Sequence, residues 1–268
     1  MTEPLADIGL SGLAISGILI GIALALSLVR GLGLEKDLLV AAFRALVQLL
    51  IVGFALRIVV DDDDPLVFTW IWVVLMVMVA SWTVQRRAPE VPNVIPLSLA
   101  AFASAAVVSL GVLFGFGVFE PTGRAIVPVA GMMVGNSMTA TVVVARRIVA
   151  EAKDHRDLIE ARLSLGLSSQ DAFAPHLREA LRTALIPQIE TTKTVGLIAL
   201  PGAMTGLILA GVEPVDAVRV QVAVMYLVLG SVSTTAAVMA IGLTRGLFTS
   251  DHRLAPTGGK VGDASSAP

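Results

Sequence analysis

The sequence predicts an all-α integral membrane protein, on three observations. Of its 268 residues, 56% are hydrophobic and 15% charged, with a mean hydropathy of +0.85, against ~45–50% apolar residues in ordinary globular domains. Seven segments reach or approach the ~20 residues needed to cross hydrocarbon: residues 8–29, 38–60, 66–84, 94–117, 125–144, 189–211 and 215–243. Finally, Lys and Arg concentrate in the loops that fall on one side of such an arrangement. A net charge of -2 points to no nucleic-acid partner, and the absence of Cys removes disulfides, thiolate metal sites and thiol nucleophiles.

The first segment, residues 8–29, lacks the basic start of a signal peptide and exceeds the ~7–15 apolar residues of its core, so it is read as a span. The rest are helical because a backbone in lipid must satisfy its own polar groups. They are too long and too evenly apolar to be barrel strands. Seven spans place the termini on opposite sides. Arg30, Lys36, Arg86, Arg87, Arg146, Arg147, Lys153, Arg156, Arg162, Arg178, Arg182, Arg245, Arg253 and Lys260 then share one side. The opposite loops carry Asp61, Asp62, Asp63, Asp64, Arg124, Glu213 and Asp216. By the positive-inside rule the N-terminus is outside and the C-terminus inside. Residues 1–248 form the membrane domain, and 249–268, rich in Gly, Ser, Ala and Pro, form a disordered cytosolic tail.

Between the fifth and sixth segments lies a cytosolic loop of about residues 146–187. Residues 146–165 read as a polar extension of the fifth helix, kept wet by Glu151, Lys153, Asp154, Arg156, Asp157 and Glu160. Gly166 supplies the left-handed conformation that ends a helix, and Ser168 with Asp171 resembles a capping box that starts the next. Phe173, Leu177, Ala180, Leu181 and Ala184 recur on one face of a short amphipathic helix, which Pro175 is expected to bend or interrupt. This soluble handle leads directly into the sixth segment, where Pro201-Gly202 predicts a break in a membrane helix.

Gly131, Gly135 and Thr139 recur every four residues in the fifth segment, as do Gly202, Gly206 and Ala210 in the sixth. Small residues at that spacing let helices approach closely. Met132, Met133, Met138 and Met204 offer thioethers to a soft metal, yet at helical spacing Met more often packs a core. His155, His176 and His252 all lie in cytosolic segments. No His, Cys or deep carboxylate falls in the spans, so no metal site is expected in this chain. The chain also has no Gly-x-x-x-x-Gly-Lys-Ser/Thr run to cradle ATP; it is expected to bind no cofactor, to catalyse no reaction itself, and to leave any ATP to a partner.

The order Glu160-Ala161, Gly166, Leu177 resembles the EAA loop of ABC-importer permeases, which forms a coupling helix seated in a groove of the ATPase subunit. Here Arg162 replaces the third residue of that motif, and no Pro follows Leu177 at the family spacing. Gly131-Met132-Met133-Val134-Gly135-Asn136-Ser137-Met138-Thr139 is similar to the FetB-type permease family. So are Lys193-Thr194-Val195-Gly196 through Pro201-Gly202-Ala203-Met204-Thr205-Gly206, and Gln221-Val222-Ala223-Val224-Met225. That family comprises bacterial iron-export permeases and plant permeases linked to aluminium tolerance. The resemblance runs from Arg44 and Gln48 to Leu247.

It implies the permease subunit of an ABC-type transporter in the cell (plasma or inner) membrane, a homodimer working with a separate ATP-binding subunit. The expected cargo is iron or a metal chelate, exported. Export of a nucleotide sugar such as UDP-glucose is the alternative, suggested by the plant-like wording around Lys193. An ion-coupled secondary transporter is the rival class, disfavoured because the spans lack an acidic relay. ATPase coupling is expected at Glu160, Ala161, Gly166 and Leu177. The translocation path is expected along Asn136, Ser137, Met138, Thr139, Lys193, Pro201, Gly202, Met204 and Thr205, with Arg44 and Gln48. Arg44 and Lys193 are the most deeply placed cations, and an anionic cargo would give them a purpose.

Overall fold

The computed structural model describes residues 10–59, 65–198, 200–249 and 253–254. Residues 61–64, His252 and most of the 249–268 tail, including Lys260, lie outside the described residues. Among the described residues the fold is helical: α1 (Leu10–Arg30), α2 (Glu35–Val59), α3 (Leu66–Arg87), α4 (Val94–Gly115), α5 (Gly123–Asp154), α6 (Arg156–Ser164), α7 (Ser169–Thr194), α8 (Gly202–Leu209) and α9 (Pro214–Gly246). Six of these, α1 to α5 and α9, are long and apolar enough to cross a membrane. They correspond to the first five and the last of the predicted segments.

The core forms where α3, α4, α5 and α9 pack on one another. Phe102, Ile126, Met133, Val144, Val232 and Met239 are fully buried there. In lipid such packing is held by dispersion and by the few polar groups that find partners. One cross-link joins α5 to α9, Ser137 Oγ donating to Ser231 Oγ at 3.3 Å. At Gly242 of α9 the backbone comes so close to α4 that an added Cβ would meet Leu97 Cδ2 at 2.5 Å. A side chain there would require Leu97 to turn aside.

The α1–α2 hairpin stands apart from this core. Ser27 Oγ donates to Glu35 Oε1 at 2.7 Å and accepts from the Leu34 amide at 3.2 Å, pinning the turn. The hairpin joins the bundle through α3, and no described residue of α2 is buried.

Two expectations need correction. The 146–187 loop is helical almost throughout, and α7 does not stop at Pro175 or at Pro187: it continues from Ser169 to Thr194. A proline inside a helix costs ~3 kcal/mol or more. Here the apolar face of α7, with Phe173, Ala180 and Ala184 buried against α5 and α9, holds the helix together across Pro175; Pro187 lies beyond the last buried residue of α7. The second correction concerns the predicted sixth span, residues 189–211, which is not one helix. Its first part is the end of α7, residues 195–198 and 200–201 are non-helical, and α8 begins at Gly202 with Pro201 as its N-cap residue. The break is thus wider than a bend at Pro201-Gly202.

The small-residue stripes are mostly open within one chain. An added Cβ at Gly131 would lie 3.7 Å from Met76 Cε, while nothing lies within 4 Å at Gly135, Gly202 or Gly206. The described part of the tail folds back: Leu254 bridges to Phe248 and is buried.

Candidate functional site

The site is built at the end of the bundle where α5, α6, α7 and the end of α9 meet. The fifth helix does extend past the apolar core, as its polar sequence predicts, but it is interrupted at His155. There φ is -114° and ψ 25°, and α6 starts at the next residue. Backbone bonds continue across the joint, from the His155 amide to the Glu151 carbonyl at 3.1 Å and from the Ile159 amide to the His155 carbonyl at 3.0 Å. The result is a kink whose stem stays hydrogen-bonded.

Gly166 ends α6 with φ at +87°. The Gly166 amide reaches the Leu163 carbonyl at 2.9 Å and the Leu167 amide reaches Arg162 at 3.3 Å, the paired bonds of a left-handed helix stop. Ser168 then caps α7. Its Oγ accepts from the Asp171 amide at 3.2 Å and donates to Asp171 Oδ2 at 2.6 Å. The 165–168 turn projects from the bundle, with Leu165 81% exposed and Leu158 and Leu167 exposed beside it.

Behind the turn the assembly is tight. Ile159, Ala172 and Phe173 are fully buried, Phe173 stacks edge-on against Phe248 with centroids 6.1 Å apart, and Arg162 Nη1 donates to the Ala172 carbonyl at 3.1 Å. This part is polar enough in sequence to face water, so burying a Phe there is worth ~1.5–3 kcal/mol. A cleft of about 500 Å³ opens beside it, lined by Glu90, Arg146, Arg147, Lys153 and Thr183; Arg146 is paired with Glu90 at 2.7 Å.

Of the expected coupling residues, Glu160, Ala161 and Gly166 are exposed and gather at this tip. Glu160 is paired with Arg156 at 2.8 Å. Leu177 lies two turns into α7, half-buried against the core, apart from them.

The expected path residues divide. Ser137 is buried between α5 and α9, and Met138 packs on the core with Met132 beside the buried Met133. Asn136 and Thr139 are exposed on the other side of α5 with Gly135; Asn136 Nδ2 donates to the Met132 carbonyl at 2.7 Å. Lys193 is exposed and paired with Glu190 at 2.8 Å, as their spacing allows. Pro201, Met204 and Thr205 are half-buried and Gly202 exposed. The Met204 amide donates to the buried Gln221 Oε1 at 3.2 Å, tying α8 to α9. Arg44 and Gln48 are exposed on α2, away from these groups, and Arg44 has no ion-pair partner among the described residues.

Sequence reasoning missed Glu151 as a site residue and treated His155 and His176 merely as cytosolic. In the structure Glu151 lies buried between them. Two signals were present. Glu151 and His155 are four apart, so they share a helix face. His176 falls three residues after Phe173, on the buried face of α7.

Comparison with known proteins agrees in covering nearly the whole chain. The model of an uncharacterised protein family, UPF0014, matches residues 10–248. The rice (Oryza sativa subsp. japonica) "UPF0014 membrane protein STAR2" is 39% identical over 223 residues, 82% of this chain and 77% of the rice protein. The Escherichia coli (strain K12) "Probable iron export permease protein FetB" is 34% identical over 245 residues, 91% and 94% of the two chains. The Arabidopsis thaliana "Protein ALUMINUM SENSITIVE 3" is 33% identical over 240 residues, 87% and 85%. No solved structure matches this chain.

Proposed function

This chain belongs to the uncharacterised protein family UPF0014, and on that footing we propose that it is the permease subunit of an ATP-driven exporter whose cargo is iron or a metal chelate. The observation that carries the coupling is the continuity of α7. One helix runs from the exposed turn at 165–168 to Thr194, at the edge of the break before α8. A push on Glu160, Ala161 and Gly166 by an ATP-binding subunit is delivered, through a rod held on α5 and α9, to the broken segment. The exposed Leu158, Leu165 and Leu167 suit a partner groove more than water.

The proposal includes seven membrane passes, N-terminus outside, with α7 and α8 sharing the sixth. Its support is that α7 starts beside the C-terminal end of α9, through Phe173 and Phe248, while α8 is bonded near the start of α9, through Gln221. At 1.5 Å per residue the 33 residues of α9 span about 50 Å, and the broken pair follows much of that length. Of the cations on the proposed outer side, Arg219 is neutralised by Asp216 at 2.7 Å.

Pairing of two copies around a path is supported by the polar edge of α5. Asn136 and Thr139 face away from their own chain's core, and in lipid such groups call for another helix or a wet cavity. The edge carries no carboxylate or imidazole, so it fits a complexed metal better than a bare ion. A nucleotide sugar, also anionic, is the second cargo, on the same reasoning from Lys193.

The test is ATPase activity of the purified chain in lipid, alone and with any ATP-binding protein found encoded beside it, against ferric chelates and nucleotide sugars. Activity that needs both proteins and rises with one cargo class is expected. Absence of any associating ATPase would overturn the coupling proposal in favour of a secondary carrier.

A further inference from the structure

The joint between α5, α6 and α7 holds a cluster for which coupling alone has no use. Glu151 is 5% exposed and His176 7%. Glu151 Oε1 accepts from Arg147 Nη2 at 2.7 Å, so only Oε2 turns to the histidines: it lies 2.8 Å from His176 Nδ1 and 3.4 Å from His155 Nε2. The two imidazoles stack with centroids 4.8 Å apart at 30°. One ligand atom from each residue lies within 4.8 Å of the other two.

Burial of His176 calls for an explanation. Its ring lies against Phe173, centroids 5.7 Å apart, and its Nε2 is buried without a partner among the described residues. Beside Phe173 a leucine would fill the space without leaving a polar atom unpaired. What the imidazole adds is a nitrogen directed at Glu151 Oε2, which His155 also approaches. Metal–ligand bonds of ~2.0–2.2 Å in a tetrahedral shell place ligand atoms ~3.3 Å apart; the 3.4 Å from Oε2 to His155 Nε2 matches this, and the 2.8 Å hydrogen bond to His176 Nδ1 would open by about half an ångström to admit the ion. The third, between the imidazole nitrogens, closes by a rotation of His155, whose side chain is 49% exposed. That exposure also gives solvent access to the buried pair.

We propose that Glu151, His155 and His176 bind a divalent first-row transition-metal ion through two imidazoles and one carboxylate. The ligand set selects zinc, iron(II), cobalt(II), nickel or copper(II) over magnesium and calcium, which take all-oxygen shells. Arg147 holds the carboxylate in orientation through its bond to Oε1, and its charge opposes the ion, which weakens binding. The three ligands come from the end of α5, the α5–α6 joint and α7. An ion there clamps the start of α7 to α5. The site itself does not depend on the transport reading; that the clamp restrains coupling does rest on it.

The test uses the full chain with any purification tag removed, in detergent, titrated with Co²⁺ and followed by its visible ligand-field bands, with Zn²⁺ bound in equilibrium dialysis as the second measure. One ion per chain is expected. His155→Ala, His176→Gln and Glu151→Gln should each weaken binding by about ten-fold or more. His252→Ala should bind as the wild type does. His155→Ala controls for folding, because removing a half-exposed ring should leave thermal unfolding of the metal-free protein unchanged. The proposal is overturned if no Co²⁺ or Zn²⁺ binds, or if His155→Ala and His176→Gln bind as the wild type does. Failure of this test leaves the ATPase result untouched, and failure of the ATPase test leaves metal binding untouched.

Discussion

Replacing Gly166 separates backbone strain from contact. Its φ is +87° and an added Cβ would meet nothing within 4 Å, so Gly166→Ala is penalised by conformation and not by crowding. A left-handed L-residue costs ~1–2 kcal/mol, and Asn, which tolerates that region, costs less. The strain falls on the Gly166 amide bond to Leu163 and the Leu167 bond to Arg162, which open locally rather than with the whole fold. Hydrogen exchange at Leu167 should therefore quicken ~5–30-fold in Gly166→Ala, since ~1.4 kcal/mol is a factor of ten, and only a few-fold in Gly166→Asn. ATP hydrolysis by the reconstituted pair should uncouple from transport in the same order, Ala worse than Asn, and a bulky residue worse still. Equal exchange in the Ala and Asn variants would refute the strain argument; full coupling in Gly166→Ala would refute the role given to the turn.

Gly242→Ala should destabilise the α4–α9 contact by ~1–3 kcal/mol, because its Cβ falls 2.5 Å from Leu97 Cδ2. Much of this should return in the double variant with Leu97→Ala, read as a coupling energy in thermal unfolding. Phe173→Ala should cost ~3–5 kcal/mol and expose α7 to limited proteolysis near its start. Lys193→Gln breaks a pair whose side chains are more than half exposed, so thermal unfolding should shift by no more than ~1 kcal/mol. Its reconstituted transport should fall, and unchanged transport would remove Lys193 from the path.

Six of the seven runs were legible as helices because lipid leaves the backbone one choice and ~20 apolar residues suffice to cross it; the run 189–211 was not, because it is broken between α7 and α8. The turn was legible for a different reason. Gly166, Ser168 and Asp171 each act on their own neighbours, and the structure uses them as the local rules require. Pro175 misled because a proline's effect is local only when nothing else holds the helix. The contacts that keep α7 continuous come from α5 and α9, far away in sequence. The histidine cluster was hidden for the same reason: Glu151 and His176 are 25 residues apart, and only the folding back of α7 brings them together.

The break between α7 and α8 shows how local signals combine into something none gives singly. Gly196 adopts φ of +86°, Val195 is extended, and Pro201 disfavours helix at the residue before it. Either end could have been absorbed as a kink, as Pro187 is inside α7. Together they leave residues 195–198 and 200–201 without helical structure, with Leu197 90% and Ile198 81% exposed. Apolar side chains suit lipid or a second copy; on the proposed sixth pass the non-helical backbone would also need protein or water around it. The segment that α7 reaches is thus poorly completed by its own fold. A shift of α7 along α5 and α9 would reach this segment directly, because Val195 follows Thr194 without a break.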